Sequence, residues 1–155
     1  VIEKVLKKNK NVEFILAGRD NMNGLVQKTI KQKKLEKFVH TPGFIYNTSE
    51  VLKKSYMVVL PSLLPEGCPT SILEAMSYGK PIIGYNIYGI NELVIDDING
   101  FLISINDKEA MAASILKLID SPDLVEKLGI RGYSRVLKEF SLNKMLNDHS
   151  LTSFV

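Results

Sequence analysis

Four apolar runs, separated by segments with helical periodicity, constrain the fold of this chain more than any other feature. The runs are "VEFILAG" (12–18), "YMVVLPS" (56–62), "PIIGY" (81–85) and "FLISI" (101–105), and a shorter strand is expected around residues 38–40. Strands that alternate with helices form βαβ units, which predicts an α/β domain with a parallel sheet between two layers of helices. The near-continuous apolar character of "VEFILAG" further predicts a strand covered on both faces.

Helical segments fill the intervals between these strands. "VIEKVLKKN" is typical of the end of a helix, and further helices are expected at 24–35 and from near Thr48, Pro69, Asp107, Pro122 and Ser141. A chain of 155 residues that is 45% apolar can form one core, so residues 1–155 are expected to be a single domain. Since the chain opens on a helix end, the first βα unit of that domain is expected to be absent.

Composition argues against several classes of protein. The single cysteine, Cys68, cannot form an internal disulfide, and the chain has neither a signal segment nor an apolar run of about 20 residues. These features favour a cytoplasmic protein. The net charge of +3 is concentrated in "KTIKQKKLEK" (28–37), which could suit nucleic acid or anionic lipid but is more typical of a solvated helix face. No nucleic-acid partner is therefore expected.

The segment "PEGCPTSILEAMSYGKP" (65–81) carries the strongest functional signal. It follows a strand expected to end near Leu60, and ligands of such sheets bind at the carboxyl ends of the strands. Pro69, with its fixed φ and missing N–H, suits the first helical position. The helix would then expose the N–H groups of Thr70, Ser71 and Ile72. Because these groups lack intrahelical partners and lie at the positive end of the helix dipole, they predict a phosphate site.

Two carboxylates flank this predicted phosphate site. At 100° per residue, the stripe that should face the sheet consists of Ile72, Ala75, Met76 and Gly79. Glu74 is left on the open side, one turn behind the phosphate, where it could accept hydrogen bonds from ribose hydroxyls. Glu66, in the preceding loop, could hold whatever the phosphate carries. The pattern therefore predicts a ligand with hydroxyl groups on both sides of a diphosphate.

The same residues carry a family resemblance. "PSLLPEGCPTSILEAMSYGKPIIGYNIYGINELVIDDINGFLI" (61–103) resembles the signature of the family-4 retaining glycosyltransferases: a Pro-Ser pair, a Glu-Gly loop, a second Glu in "EAM", then "GKP" and "NGFL". "VEFILAGRD", "VHTPGF" and the pair Phe140-Ser141 extend the resemblance over nearly the whole chain. It implies a three-layer, Rossmann-like domain that corresponds to the C-terminal, donor-binding half of a GT-B enzyme. The N-terminal acceptor-binding domain would then be absent.

The resemblance also implies roles for individual residues. Glu66 would be the catalytic residue that contacts the hydroxyls of the transferred sugar, and Glu74 would bind the ribose. The residues that would face the diphosphate are Gly67, Cys68, Pro69, Thr70 and Ser71. Gly43 and Phe44 would lie near the base, and Arg19, at a strand end, could reach a phosphate or be a surface charge.

The implied reaction is the retaining transfer of a hexose from a nucleotide-diphosphate sugar. The protein would stabilise charge that grows on the departing diphosphate, and neither a metal nor another cofactor is expected if amides and basic residues do this. The acceptor, a sugar, a lipid-linked molecule or another compound, would bind the missing domain. Peripheral association of the full-length parent with the inner face of a membrane stays open.

Two departures from the family pattern qualify these expectations. The Arg and Lys that family members carry in the unit before "VEFILAG" are not found there, and Pro69 stands where many relatives have Gly, which removes one N–H donor. The 155-residue chain is therefore expected not to transfer sugar by itself. A non-catalytic nucleotide-sugar-binding module and a sugar-nucleotide epimerase of the same architecture remain alternatives.

Other candidates have structural interpretations. Cys68 is expected to be a small packing residue, because neither His40 nor His149 is placed to activate it. Asn99 and Gly100 are expected to form a turn. Lys80 follows the C-terminus of the helix that starts near Pro69, and it is expected to interact with the dipole of that helix.

Overall fold

Five strands and seven helices alternate along residues 1–65 and 67–140, which are the residues that the computed structural model describes. The strands are β1 (Phe14–Ala17), β2 (Val39–Gly43), β3 (Val58–Leu60), β4 (Ile82–Tyr85) and β5 (Gly100–Ile103). The helices are α1 (Ile2–Lys8), α2 (Leu25–Gln32), α3 (Ser49–Lys54), α4 (Thr70–Ser77), α5 (Ile90–Leu93), α6 (Lys108–Ile119) and α7 (Pro122–Glu139). Every strand pairing is parallel, which confirms the predicted α/β class. The helix expected from near Ser141 lies outside the described residues.

The strands form two hydrogen-bonded sheets. β1 pairs with β2, and β3, β4 and β5 pair in that order. In the second sheet Ile82 lies opposite both Val58 and Gly100. A methyl group at Gly100 would come within 2.0 Å of the carbonyl oxygen of Ile82, so the close approach of β5 to β4 requires glycine at this position.

The core lies around the second sheet. All four residues of β4 are buried, and Ile82 and Ile83 are 0% exposed. α4 contributes the predicted stripe, since Ile72, Ala75 and Met76 are fully buried. α4 also packs on α7, and the turn that follows α4 approaches α7 closely, since a methyl group at Gly129 would lie 2.0 Å from the carbonyl oxygen of Gly79.

β1 is much less covered than its apolar sequence predicts. Ile15 is 44% exposed and Leu16 39%, whereas Phe14 is half-buried. β2 pairs with one edge of β1, and no strand within the described part of the chain pairs with the other edge. The prediction of a strand covered on both faces is therefore wrong for this structure, because the described residues cover β1 only in part.

α1 connects the two sheets. Val5 and Leu6 are buried, and Lys4 forms an ion pair with Glu109 of α6. On the side of the first sheet, the Lys33 ammonium lies 2.5 Å from a carboxylate oxygen of Glu3, and this hydrogen bond lowers the pKa of the Glu3 carboxyl. α1 therefore contacts α6 on one side and the residue that follows α2 on the other.

The turn before β5 is built differently from the prediction. The Ile98 N–H donates to the Ile95 carbonyl at 3.1 Å, as expected of a turn, and Asp97, at φ 56°, donates its N–H to the Gly100 carbonyl at 3.0 Å. Asn99, however, is fully buried. Its Oδ1 accepts from the Ile95 N–H at 2.7 Å and its Nδ2 donates to the Leu93 carbonyl at 2.9 Å. Asn99 thus fastens the end of α5, a four-residue helix that the sequence did not predict, to the start of β5.

The basic segment expected to be a solvated helix face overlaps α2, which buries none of its residues. Among residues 1–65 and 67–140, no helix combines the length and hydropathy needed to cross a bilayer.

Candidate functional site

The predicted site residues follow three strands, β1, β2 and β3, at their carboxyl ends. Arg19 comes two residues after β1, Phe44 directly after β2, and the loop from Pro61 to Pro69 leads from β3 into α4. Because the strands of each sheet are parallel, the residues that follow them gather at one edge of that sheet.

The start of α4 confirms most of the predicted helix geometry. The helix begins at Thr70, and Pro69 is its N-cap rather than its first helical residue, with φ −68° and ψ 101°. Within the described residues, no acceptor bonds the N–H groups of Thr70 or Ser71. The N–H of Ile72 donates to the Pro69 carbonyl at 2.9 Å, so its prediction as a free donor is wrong. The first turn closes an i→i−3 bond there, which leaves two helix amides for a ligand.

Glu74 lies on the exposed face of α4, opposite the buried stripe. The Thr48 hydroxyl donates to Glu74 Oε2 at 2.9 Å. Thr48 follows β2 by five residues, so this bond brings the carboxylate toward the loop that leaves the carboxyl end of that strand. The orientation agrees with the position predicted for a ribose-binding group, and its role stays a prediction. Sequence reasoning missed Thr48, since nothing in the chain pattern pairs two residues 26 positions apart.

The loop that precedes α4 is open. Glu66 lies outside the described residues. Gly67 is exposed, and a methyl group added to it would meet no atom within 4 Å. Cys68 is exposed as well, so its prediction as a packing residue is wrong. It precedes the buried Pro69 and lies outside the inward stripe of α4, which starts at Ile72.

An aromatic cluster follows β2. The Arg19 guanidinium carbon lies 5.0 Å from the centroid of the Phe44 ring, and the rings of Phe44 and Tyr46 meet edge to face at 4.8 Å. Phe44 is 51% exposed and Tyr46 91%. Gly43, at φ +80°, turns the chain out of β2 just before this cluster. Arg19 is thus held over an aromatic ring, a cation–π contact that leaves its edge N–H groups able to donate. Tyr46 was not singled out from the sequence, although "GFIY" places two rings two residues apart.

Two further residues have structural contacts. Lys80 donates to the Lys53 carbonyl at the end of α3 at 3.3 Å, and not to the end of α4, the helix that it follows and whose C-terminus it was expected to contact. Arg135, which is 16% exposed, donates to the carbonyls of Glu92 and Leu93 at 2.9 and 2.7 Å and so satisfies the end of α5. Glu92 itself is exposed, and its contact with Arg135 is made by its backbone.

Groups of three or more His, Cys, Asp or Glu side chains placed to hold a metal are absent from residues 1–65 and 67–140. A surface groove of about 300 Å³ lies between α1 and α6, lined by Lys4, Lys7, Lys8, Glu109 and Leu116 among others. It is open and contains none of the predicted site residues. The strand-end site is identified by the chemistry of its side chains.

Comparisons with known proteins show the family of the chain. The family described as "Glycosyl transferases group 1" matches residues 1–135. A curated relative, the poly(ribitol-phosphate) alpha-N-acetylglucosaminyltransferase of Staphylococcus aureus strain COL, is 29% identical over 147 residues. That match covers 94% of this chain and 30% of the relative, so the chain spans less than a third of that protein's length.

Two solved structures are similar to the whole described fold. The C-terminal domain of a glycosyl transferase group 1 family protein, LpcC from Francisella tularensis, has a TM-score of 0.77 at 25% identity, covering 89% of this chain and 74% of that one. HepE from Anabaena, in complex with UDP, has a TM-score of 0.89 at 22% identity, covering 97% of this chain and 43% of that one, which shows a common fold. The fold is that of a GT-B glycosyltransferase half. The chain belongs to the glycosyl transferases group 1 family.

Proposed function

We propose that this chain is the donor-binding domain of a retaining glycosyltransferase that uses a nucleotide-diphosphate sugar, and that a hexose is transferred to an acceptor held by another domain. The observation that carries the proposal is α4. Its first two N–H groups, those of Thr70 and Ser71, have no acceptor among the described residues. The exposed carboxylate of Glu74 follows them by one turn. The UDP complex of HepE supports a nucleoside diphosphate as the bound group.

We propose that different residues bind the diphosphate, the ribose and the base of the ligand. The N–H groups of Thr70 and Ser71, at the positive end of the α4 dipole, donate to the diphosphate. Glu74 accepts hydrogen bonds from the ribose hydroxyls. Like charges repel by about 1 kcal/mol at 4 Å in water, so a carboxylate beside a diphosphate is useful only if it stands back and takes hydroxyl groups. The base lies by the ring of Phe44, and Arg19 reaches the ligand from its position over that ring.

In the proposed reaction, the acceptor attacks the face of the sugar from which the nucleotide leaves, through an oxocarbenium-like transition state. The chemical demand on this domain is then the negative charge that develops on the departing diphosphate. Fixed amides aimed at that charge stabilise the transition state more than the ground state, and we propose that amides and basic side chains do so here without a metal. Glu66 orients the transferred sugar through its hydroxyls.

We further propose that the donor domain is completed by one more βα unit, whose strand lies between β1 and β3. The unpaired edge of β1 and the exposure of Ile15 and Leu16 support it. A doubly wound sheet has the strand order 3-2-1-4-5-6, and the two observed sheets supply that order with the first strand left out. That unit, together with an acceptor domain, would assemble the complete transfer site.

The test is the affinity of the 155-residue chain for UDP, measured by titration calorimetry or NMR line broadening. Glu74→Gln removes the charged acceptor and should weaken binding at least about tenfold, the value of a hydrogen bond to a charged group. Glu109→Gln, an exposed carboxylate on α6, is the matched control and should bind UDP as the parent does. Equal affinity of Glu74→Gln and the parent would contradict the ribose assignment.

A further inference from the structure

The hydroxyl of Thr48 forms a hydrogen bond that is unusual for a residue at the start of a helix. It is the N-cap of α3, a position where the hydroxyl of Thr ordinarily accepts from a backbone N–H of the first turn. Here the side chain makes no capping bond. Its hydroxyl donates instead to Glu74 Oε2, 26 residues along the chain, at 2.9 Å.

Other groups supply the hydrogen bonds that the Thr48 hydroxyl does not make at the start of α3. Asn47 Oδ1 accepts from the Ser49 N–H at 3.1 Å, so the neighbouring side chain supplies an acceptor at the helix start. The backbone of Thr48 is also fixed, because its carbonyl accepts from the N–H of the buried Leu52 at 2.8 Å. The hydroxyl that faces Glu74 therefore belongs to an anchored residue whose own helix does not need it.

This arrangement restricts a side chain that would otherwise be mobile. Glu74 is exposed, and an exposed glutamate samples many rotamers. Thr is β-branched, so its hydroxyl has few orientations once the backbone is fixed. A single bond from Thr48 to Oε2 orients the carboxylate and leaves Oε1, and the second lone pair of Oε2, able to accept from a ligand.

We propose that Thr48 is a positioning residue: its hydroxyl holds the Glu74 carboxylate in the orientation that accepts the ribose hydroxyls of the donor. The inference rests on the proposed function and adds to it a residue outside the glycosyltransferase signature segment. It also joins the ribose-binding carboxylate to the loop that carries Phe44 and Tyr46, so that the base side and the ribose side of the site are held together.

The experiment compares UDP with 2′,3′-dideoxyuridine diphosphate, which lacks both ribose hydroxyls. In the parent chain the ratio of the two affinities reports the ribose-dependent part of binding. Thr48→Val keeps the shape and removes the hydroxyl, and it should lower that ratio about threefold to tenfold, the range for one lost hydrogen bond. Thr48→Ser keeps the hydroxyl and should restore most of the ratio. Thr29→Val, whose hydroxyl donates only within α2 to the Leu25 carbonyl, is the control and should leave the ratio unchanged.

The remaining outcomes overturn either the positioning role alone or the proposed ribose site as well. An unchanged ratio in Thr48→Val, with a lowered ratio in Glu74→Gln, would overturn the positioning role and leave the proposed function intact. A lowered ratio that Thr48→Ser does not restore, or that Thr29→Val reproduces, would also overturn it, since the hydroxyl would not be the cause. No UDP binding by the parent, or a ratio insensitive to Glu74→Gln, would overturn the proposed ribose site and this inference with it.

Discussion

The β1–β2 sheet and the β3–β4–β5 sheet start from similar sequences and reach very different environments. β1 reads "FILA" and β4 reads "IIGY", yet Ile15 of β1 is 44% exposed and Ile83 of β4 is 0% exposed. β4 has strand neighbours on both edges, and β1 has one among the described residues. An apolar run therefore indicates a strand that can be buried. Whether the strand is buried depends on the strands and helices that pack against it.

The same contrast divides the candidate site. The larger sheet carries α4, whose inward face is fully buried and whose start is consequently well fixed. The smaller sheet carries exposed groups, Arg19, Phe44 and Tyr46. The two parts meet where Thr48 bonds Glu74 and where Lys80 bonds the Lys53 carbonyl.

The largest expected effect comes from matched isoleucine substitutions in the two sheets. Ile83→Ala should lower the free energy of unfolding by about 2–5 kcal/mol, because it removes buried methyl groups and leaves a cavity. Ile15→Ala should cost about 1 kcal/mol or less, because much of that side chain is already in contact with water. Urea unfolding followed by circular dichroism measures both. Equal losses of unfolding free energy in the two variants would mean that β1 is as buried as β4 in solution, and would contradict the difference between the two sheets.

A smaller effect is expected from the contact between α4 and α7. Gly129→Ala would place a methyl group 2.0 Å from a backbone oxygen, which cannot rotate away, and should destabilise the chain by about 3 kcal/mol. Gly132→Ala, one turn later, would meet the flexible Met76 side chain at 3.4 Å. It should change stability by less than about 1 kcal/mol, since alanine also favours the helix. Thermal unfolding distinguishes the two, and a tolerated Gly129→Ala would show that α4 and α7 are not in close contact.

Local physics explains which features the sequence predicted. The order of strands and helices, the start of α4 within one residue of the predicted position and its inward stripe follow from periodicity and from the fixed φ of Pro69, which act within a few residues. The pairing of Thr48 with Glu74, the contact of Arg19 with Phe44 and the bonds of the buried Asn99 to Leu93 and Ile95 depend on tertiary packing or on the path of an irregular turn.

Two predictions near the start of α4 were wrong because the backbone there is locally irregular. The Ile72 amide was predicted to be free because an ideal helix leaves its first amides unpaired, but the first turn tightened and Pro69 accepted that bond. Cys68 was predicted to pack because neither histidine is placed to activate it, but the loop carries it outward before Pro69 returns the chain to the core. In both cases one residue of irregular backbone changed the outcome.

The most direct test of the account is a map of UDP binding on the ¹⁵N-labelled 155-residue chain by NMR titration. The account predicts that the largest amide shifts fall at the start of α4, in Thr70 and Ser71, with smaller shifts in Glu74 and Phe44, and that α6 and α7 stay unaffected. Shifts confined to the lysine-lined groove between α1 and α6, around Lys4 and Lys8, would contradict it, because UDP would then be held by surface charge and not at the strand ends.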